Sequence, residues 1–280
     1  MKLYPIPTGN FKLDGGAMFG VVPKTLWQKT NPADENNLCS WAMRCLLVES
    51  GDRLVLIDNG IGDKQDAKFF SHYYLYGDDS LEKSLHKAGF DFSDITDVFL
   101  THLHFDHCGG SVKYSSNGTS FEMVFPKAQY WSNQDHWTWA TVPNPREKAS
   151  FLKENIMPLK DSGHLSFLEV GQQQFLPGFD VTYVDGHTDK MMVPRIQYKG
   201  RTVCFMADLL PSVGHLPLPY VMGYDTRPLL TLQEKEAFLN QAAAENWVLF
   251  LEHDSVNECC TVKQTEKGVR VDQVFPLSAL

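Results

Sequence analysis

Short apolar runs recur along the chain, and four of them stop at a polar residue able to bind a metal. Such runs are typical of buried β-strands. The four predicted strands are 97–101, 181–186, 202–207 and 248–252, and the residues that follow them are His102, His187, Asp208 and His253. Each polar residue alone is compatible with an ordinary turn. Together they indicate a site at the carboxyl ends of the strands, along one edge of the sheets.

The rest of the pattern predicts further elements between these strands. Thr231-Leu232-Gln233-Glu234 has the form of a capping box, which predicts that a helix begins there. The further predicted elements are a hairpin of 43–49 and 53–58 turning at Gly51-Asp52, a helix from Asp79-Ser80 to Gly89, a strand at 121–127, a helix from Pro145 through Lys153 and a helix over 232–244.

The segment 101–110 (THLHFDHCGG) concentrates three imidazoles and a carboxylate within six residues. Neutral imidazole and carboxylate are the ligands that suit zinc and similar ions. His102 and His104 are two residues apart and could hold one ion from the same side. Asp106 and His107 are adjacent and diverge, which favours a second ion. Gly109-Gly110 permits a tight turn, after which a helix could start.

Composition and charge narrow the classes of function. The 280 residues are 43% hydrophobic and 21% charged, as in an ordinary globular protein of one large domain or two fused halves. The formal charge is −9 without any run of Lys or Arg, which disfavours a nucleic-acid partner. No apolar leader or membrane-spanning stretch is visible, so a cytoplasmic protein without a membrane partner is expected.

Cysteines and tryptophans add two weaker indications. The six cysteines lack a disulfide spacing, which predicts unbridged and mostly buried thiols; Cys108 is a packing residue or a soft metal ligand. Trp131, Trp137 and Trp139 either line a pocket or pack their segment onto the core.

The metal-binding residues, in this order, resemble the metallo-β-lactamase-fold hydrolase superfamily over nearly the whole chain. HLHFDH at 102–107 fits the HxHxDH signature, and Gly186-His187-Thr188, Asp208 and His253 fit the later positions. Asp58, in LVLIDNG, fits the strand-end aspartate. The resemblance implies a single domain of residues 1–280 in the α+β class: an αββα sandwich of two mixed sheets flanked by helices, with a dinuclear metal site.

The resemblance also implies a role for each of these residues. His102, His104 and His187 would hold one ion, Asp106, His107 and His253 the other, and Asp208 would bridge them. Zinc is expected, with manganese, iron or cobalt as alternatives. A hydroxide held between the ions would attack the substrate, Asp106 could relay a proton, and Asp58 would orient the metal-binding loop.

Size and the aromatic segment are similar to the branch of N-acyl-homoserine lactonases and methyl-parathion-hydrolase-like enzymes. Those lactonases carry a tyrosine three residues after the bridging aspartate, where this chain has Pro211. Tyr220, Tyr224 or His215 could take its catalytic role. A second departure is Asp189-Lys190-Met191-Met192, where relatives commonly have Pro-Gly-His.

The expected function is therefore hydrolysis of a small ester, in particular a lactone, by an enzyme that acts on a small molecule and could be a homodimer. A phosphotriesterase and a glyoxalase-II-like thioester hydrolase remain open alternatives. Outside hydrolysis, the alternatives are a mononuclear-iron dioxygenase and a catalytically silent metal-binding sensor.

Overall fold

The computed structural model describes residues 1–280, and its strands form three sheets. The strands are β1 (Lys2–Asp14), β2 (Leu38–Ser50), β3 (Arg53–Ile57), β4 (Asp97–Phe99), β5 (Val112–Tyr114), β6 (Phe121–Met123), β7 (Gln129–Asn133), β8 (Leu165–Leu168), β9 (Gln174–Leu176), β10 (Phe179–Val184), β11 (Met191–Tyr198), β12 (Arg201–Phe205), β13 (Val248–Phe250), β14 (Cys259–Thr265) and β15 (Gly268–Phe275).

Eight α-helices connect or follow these strands. They are α1 (Gly15–Phe19), α2 (Lys24–Trp27), α3 (Ala67–Ser71), α4 (Leu81–Ala88), α5 (Phe105–Cys108), α6 (Gln134–Thr141), α7 (Lys153–Asp161) and α8 (Pro228–Ala244). None is long and apolar enough to cross a membrane.

The chain divides into two compact units. The first comprises Met1–Gly9 and Met43–Gln172, and the second comprises Asn10–Ala42 and Gln173–Leu280. The six-stranded sheet, in the order β1-β2-β3-β4-β7-β8, lies mainly in the first unit. The seven-stranded sheet, in the order β15-β14-β13-β12-β11-β10-β9, lies in the second.

The first unit is built on the predicted hairpin and on parallel strands. β2 and β3 pair antiparallel with Ser50 opposite Arg53, and Gly51 takes a positive φ of 63° in the turn, which confirms the hairpin. β3, β4, β7 and β8 then run parallel. Their apolar side chains pack with those of α4, α6 and α7, for example Val98 with Leu85, Trp137 and Ile156 in one core cluster. Strands buried on both faces need such continuous apolar runs.

In the second unit, β12 and β13 are parallel and the other pairings are antiparallel. Phe205 of β12 stacks on Phe250 of β13 with ring centroids 5.7 Å apart. Phe238 of α8 packs edge-on against Trp247, 5.4 Å away. Both of these sheets are thus mixed, as the family resemblance implied.

Local signals gave the bounds of α4 correctly. The Ser80 side chain accepts a hydrogen bond from the Lys83 backbone N–H, and Gly89 ends the helix with a φ of 91°. The predicted strand at 121–127 is confirmed in part, because β6 covers only Phe121–Met123.

Two helix starts predicted from the sequence were wrong. Residues 145–150 form turns, because the Asn144 side chain accepts from the backbone N–H groups of Arg146 and Glu147, and the helix begins at Lys153. α8 begins at Pro228 instead of 232, so Thr231 and Glu234 lie inside it and form no capping box.

The pair Gly109-Gly110 follows α5 instead of preceding a helix. A Cβ on Gly109 would lie 2.1 Å from the Ile61 carbonyl oxygen, and one on Gly110 would lie 2.2 Å from that of Asn59. These glycines are therefore required by the close approach of the loop that follows β3.

Candidate metal centre

In the first unit, His102 and His104 lie in the loop after β4 with their ring nitrogens converging. His102 Nε2 is 3.0 Å from His104 Nδ1, and both residues are buried. Two nitrogens bound tetrahedrally to one zinc ion are separated by about 3.3 Å. The pair is therefore placed to share an ion, as its spacing in the sequence indicated.

Asp58 orients this loop from the end of β3. Its carboxylate accepts hydrogen bonds from the Thr101 backbone N–H (2.8 Å), the Thr101 hydroxyl (2.6 Å) and His107 Nδ1 (3.0 Å), and all three residues are fully buried. Because the Thr101 hydroxyl donates its proton to Asp58, it can only accept from His102 Nδ1, 3.0 Å away. The proton of His102 is thereby held on Nδ1, which leaves Nε2 able to bind a metal.

His107 has the same arrangement. Its Nδ1 faces Asp58, and its Nε2 lies 3.8 Å from a carboxylate oxygen of Asp106. The side chain of Asp106 is 14% exposed, whereas that of His107 is fully buried. Asp106 is therefore the part of this cluster that solvent or a substrate can reach.

In the second unit, Asp208 lies between two histidines. It is held in a 3₁₀ turn, Ala207–Leu209, directly after β12. Its Oδ2 is 3.0 Å from His187 Nε2 and its Oδ1 is 3.1 Å from His253 Nε2. A carboxylate that offers one oxygen on each side is suited to bridge two cations.

The far nitrogens of these two histidines are also held. His187 Nδ1 is 2.9 Å from Asp225 Oδ1, and His253 Nδ1 donates to the Ala42 carbonyl over 2.8 Å. Although burial opposes the charge, Asp208 and Asp225 raise the pKa of His187 to about 10. Two carboxylates around one buried imidazole favour a positive charge at this position, and a divalent cation would supply it.

α8 fixes the segment that carries His187. The Glu234 carboxylate accepts from the backbone N–H groups of Asp185 (2.7 Å) and Gly186 (2.9 Å). A Cβ on Gly186 would lie 2.5 Å from the Thr231 backbone nitrogen, so only glycine fits. The first turns of the helix thus position the end of β10.

Two carboxylates of the site were missed by sequence reasoning, namely Asp225 and Glu147. Glu147 is 3% exposed, and its Oε1 lies 3.5 Å from His104 Nε2. Neither residue follows a predicted strand, and both come from connecting segments whose paths no local pattern indicates. For Asp225 the available signal was an acidic residue after a proline-rich segment, whereas Glu147 lies between Arg146 and Lys148 and gave no such signal.

Five histidines therefore share one pattern: one ring nitrogen faces another metal-ligand type of residue, and the other faces an oxygen. The oxygens belong to Thr101 for His102, Glu147 for His104, Asp58 for His107, Asp225 for His187 and Ala42 for His253. Metal-binding histidines characteristically have such orienting partners. This donor set fits divalent ions of the zinc type.

The three candidates for the missing tyrosine differ in their surroundings. His215 is 1% exposed, with Nδ1 2.9 Å from the Ser212 hydroxyl and Nε2 2.9 Å from the Met18 carbonyl. Its ring stacks on Phe19, and burial lowers its pKa to about 3. Tyr220 and Asp208 line the same narrow crevice, which is too small to hold a water molecule. Tyr224 is 40% exposed.

The tryptophans of the aromatic segment have packing contacts within the first unit. Trp137 lies in the core against Phe167, Trp131 donates to buried Asp97 over 2.8 Å, and Trp139 donates to Glu147 over 2.6 Å. These contacts support the packing interpretation.

All six cysteines are buried and outside disulfides, as predicted. Burial raises the pKa of the Cys108 thiol to about 12, and its Sγ contacts the Leu103 carbonyl at 3.4 Å. A neutral thiol is a poor metal ligand, which favours a packing role for Cys108.

Comparison with known proteins gave one family and several relatives. A family model described as the metallo-beta-lactamase superfamily matches residues 44–253. An N-acyl homoserine lactonase of Bacillus thuringiensis is 23% identical over 271 residues, 92% of this chain and 94% of that protein. One from Bacillus cereus is 25% identical over 198 residues, 67% of this chain and 66% of that protein.

Solved structures show the same similarity. A probable metal-dependent hydrolase from Staphylococcus aureus is 27% identical with a TM-score of 0.88, covering 100% of this chain and 98% of that one. AidC, a dizinc quorum-quenching lactonase in complex with a product, is 23% identical with a TM-score of 0.75, covering 98% and 93%. The shared fold confirms the α+β class with mixed sheets.

Proposed function

The chain belongs to the metallo-beta-lactamase superfamily and is a metallo-hydrolase, and we propose that it opens a small ester, in particular a lactone, at a dinuclear metal centre. The observation that carries the metal centre is Asp208 with one oxygen facing His187 and the other facing His253. The lactone is supported by the relatives, which are N-acyl homoserine lactonases that resemble this chain over 92% of its length.

We propose that residues 1–280 form one metallo-beta-lactamase-like domain. This is supported by the family match, whose residues 44–253 include parts of both units. The proposed sets are His102, His104 and His187 for one ion and Asp106, His107 and His253 for the other. Asp208, grouped with the first set, is proposed to bridge both ions. Zinc is the proposed metal, because nitrogen ligands predominate and one neighbour is described as dizinc.

When bound, two divalent ions supply Lewis acidity toward the ester carbonyl and lower the pKa of water toward neutrality. The residues of the chain do the rest. Asp58 and Asp225 hold the imidazoles in the required orientation. Asp106, partly exposed, would accept the proton that the attacking water loses and give it to the leaving oxygen.

Beside Asp106, a hydrogen-bond donor to the substrate would take the place of the tyrosine that Pro211 replaces. Tyr220 is the better candidate, because it lines the same crevice as Asp208. Both ring nitrogens of His215 are already in hydrogen bonds within its unit. Tyr224 remains the second candidate because it is exposed.

The direct test is hydrolysis of a panel of lactones, followed by proton release, on protein reconstituted with zinc or manganese. We expect turnover that a chelator abolishes and that His102→Ala with His104→Ala eliminates. His86→Ala, an exposed histidine on α4, is the matched control and should retain activity.

Protein that holds two ions and opens no lactone would overturn the lactone proposal. Phosphotriesters and thioesters would then be tested in parallel. Phosphotriesters would be the preferred substrate class, because Pro211 stands where the lactonases have a tyrosine. Bound iron together with oxygen consumption would instead indicate a dioxygenase. Tight ligand binding without turnover would indicate a sensor.

A further inference from the structure

Glu147 is buried beside the metal-binding loop with its two carboxylate oxygens facing different neighbours. Oε2 accepts hydrogen bonds from the Trp139 indole N–H (2.6 Å) and the Asn144 side-chain amide (2.6 Å). Oε1 lies 3.5 Å from His104 Nε2, within ion-pair distance. The side chain is 3% exposed, so water does not compete for these contacts.

The two donors to Oε2 and the 3.5 Å approach of Oε1 to Nε2 together constrain the proton position of His104. Trp139 and the Asn144 amide nitrogen can only donate, so the group at position 147 must present an oxygen to them. A carboxylate has a second oxygen for His104 and can accept only a proton that Nε2 carries. His104 Nδ1 is then unprotonated, and it is the nitrogen that faces His102.

We propose that Glu147 is a positioning residue that holds His104 in the Nε2–H tautomer, so that Nδ1 binds the metal. This rests on the metal centre proposed above and is independent of the substrate. This proposal also gives Trp139 and Asn144 a role, because their hydrogen bonds orient the Glu147 carboxylate.

The test is metal binding by Glu147→Gln, which keeps the size of the side chain. Trp139 and Asn144 force the glutamine oxygen toward themselves, so its NH₂ group faces His104 and favours the tautomer whose Nδ1 carries the proton. We expect the affinity for one of two Co²⁺ ions to fall about 10–100-fold in competition with a chelator. The visible absorption of the bound Co²⁺ should change as well.

A rescue variant separates this role from simple packing. Adding Trp139→Phe and Asn144→Asp removes the donors that fix the amide, while the new carboxylate at position 144 can still accept from the backbone N–H groups of 146 and 147. Glutamine can then turn its oxygen to His104, and Co²⁺ affinity should recover toward that of the wild type. Glu154→Gln, on a neighbouring acidic residue of α7, is the control that should bind Co²⁺ normally.

If Glu147→Gln binds Co²⁺ as the wild type does and only the metal-free protein melts earlier, the role of Glu147 is packing and the proposal is wrong. Should the variant fail to fold, ¹⁵N chemical shifts of the histidines in the zinc-loaded wild type decide the question, because a metal on Nε2 of His104 would contradict it. A wild-type protein that binds no metal would instead overturn the proposed function.

Discussion

At the scale of single residues, the candidate metal centre depends on the proton positions of its histidines as much as on their location. Asp58 shows this most clearly. Its carboxylate accepts hydrogen bonds from the Thr101 hydroxyl and from His107 Nδ1. Since the Thr101 hydroxyl can then only accept from His102 Nδ1, Asp58 also sets the tautomer of His102. One buried aspartate thus controls two imidazoles. The loop 101–107 carries the proposed ligands, and Asp58 orients two of them.

We expect Asp58→Asn to weaken metal binding about 10–100-fold with little change in shape, because an amide must place a donor against either Thr101 or His107. Competition with a chelator measures the affinity. Asp52→Asn, in the exposed hairpin turn, is the control. Equal metal affinity in Asp58→Asn and the control would show that Asp58 has no orienting role.

At the scale of elements, α8 holds two loops of the second unit through adjacent residues. Glu234 binds the backbone before His187, and Lys235 Nζ donates to the carbonyls of His215 (3.0 Å), Pro217 (3.3 Å) and Tyr220 (2.8 Å). Lys235 is 1% exposed. The helix is therefore the support on which the loop bearing Tyr220 rests.

Lys235 should also give the stability of the protein a dependence on pH. Burial lowers the pKa of its ammonium group to about 7, although Asp225 acts to raise it. From pH 7 to 10.5 the unfolded chain therefore binds more protons at this position than the folded one, and the free energy of unfolding rises with pH. One such group contributes at most about 1.4 kcal/mol per pH unit. Lys64, whose pKa burial lowers to about 8, acts in the same direction.

Lys235→Met is expected to reduce this slope between about pH 7 and 8.5, measured by urea unfolding of metal-free protein. It should also lower stability by about 1–3 kcal/mol, because three carbonyls lose their donor. Exposed Lys267→Met is the matched control. An unchanged slope in Lys235→Met would mean that the lysine is not the source of the pH dependence.

Elements also show which parts of the molecule the sequence could predict. Candidate ligands at strand ends, such as His102 and Asp208, could be predicted because an apolar run followed by a residue able to bind a metal is a local pattern. Glu147 and Asp225 were not, because their partners lie 43 and 38 positions away in the sequence. The false capping box has the same cause, since the carboxylate of Glu234 binds distant backbone N–H groups instead of its own helix.

At the scale of the whole molecule, the proposed ligands come from both halves of the sequence, and ions that bind only the folded chain should stabilise it. Each site occupied at about 100 times its dissociation constant contributes about 2.7 kcal/mol. We expect chelation to lower the melting temperature in scanning calorimetry, and added zinc to restore it. A melting temperature that does not change when the metal content falls to zero would contradict this.

The six buried thiols have a practical consequence for that experiment. A thiol-specific reagent can modify them only when the surrounding segment opens, so labelling rates report the frequency of opening. Cys108 follows the metal-binding loop directly, Cys204 lies in β12 and Cys260 in β14, and burial raises the pKa of all three. Mass spectrometry of the labelled peptides, with and without zinc, would thus give an opening rate for the segment around each cysteine. The segments whose labelling rate falls when zinc is added are those that the ions hold closed.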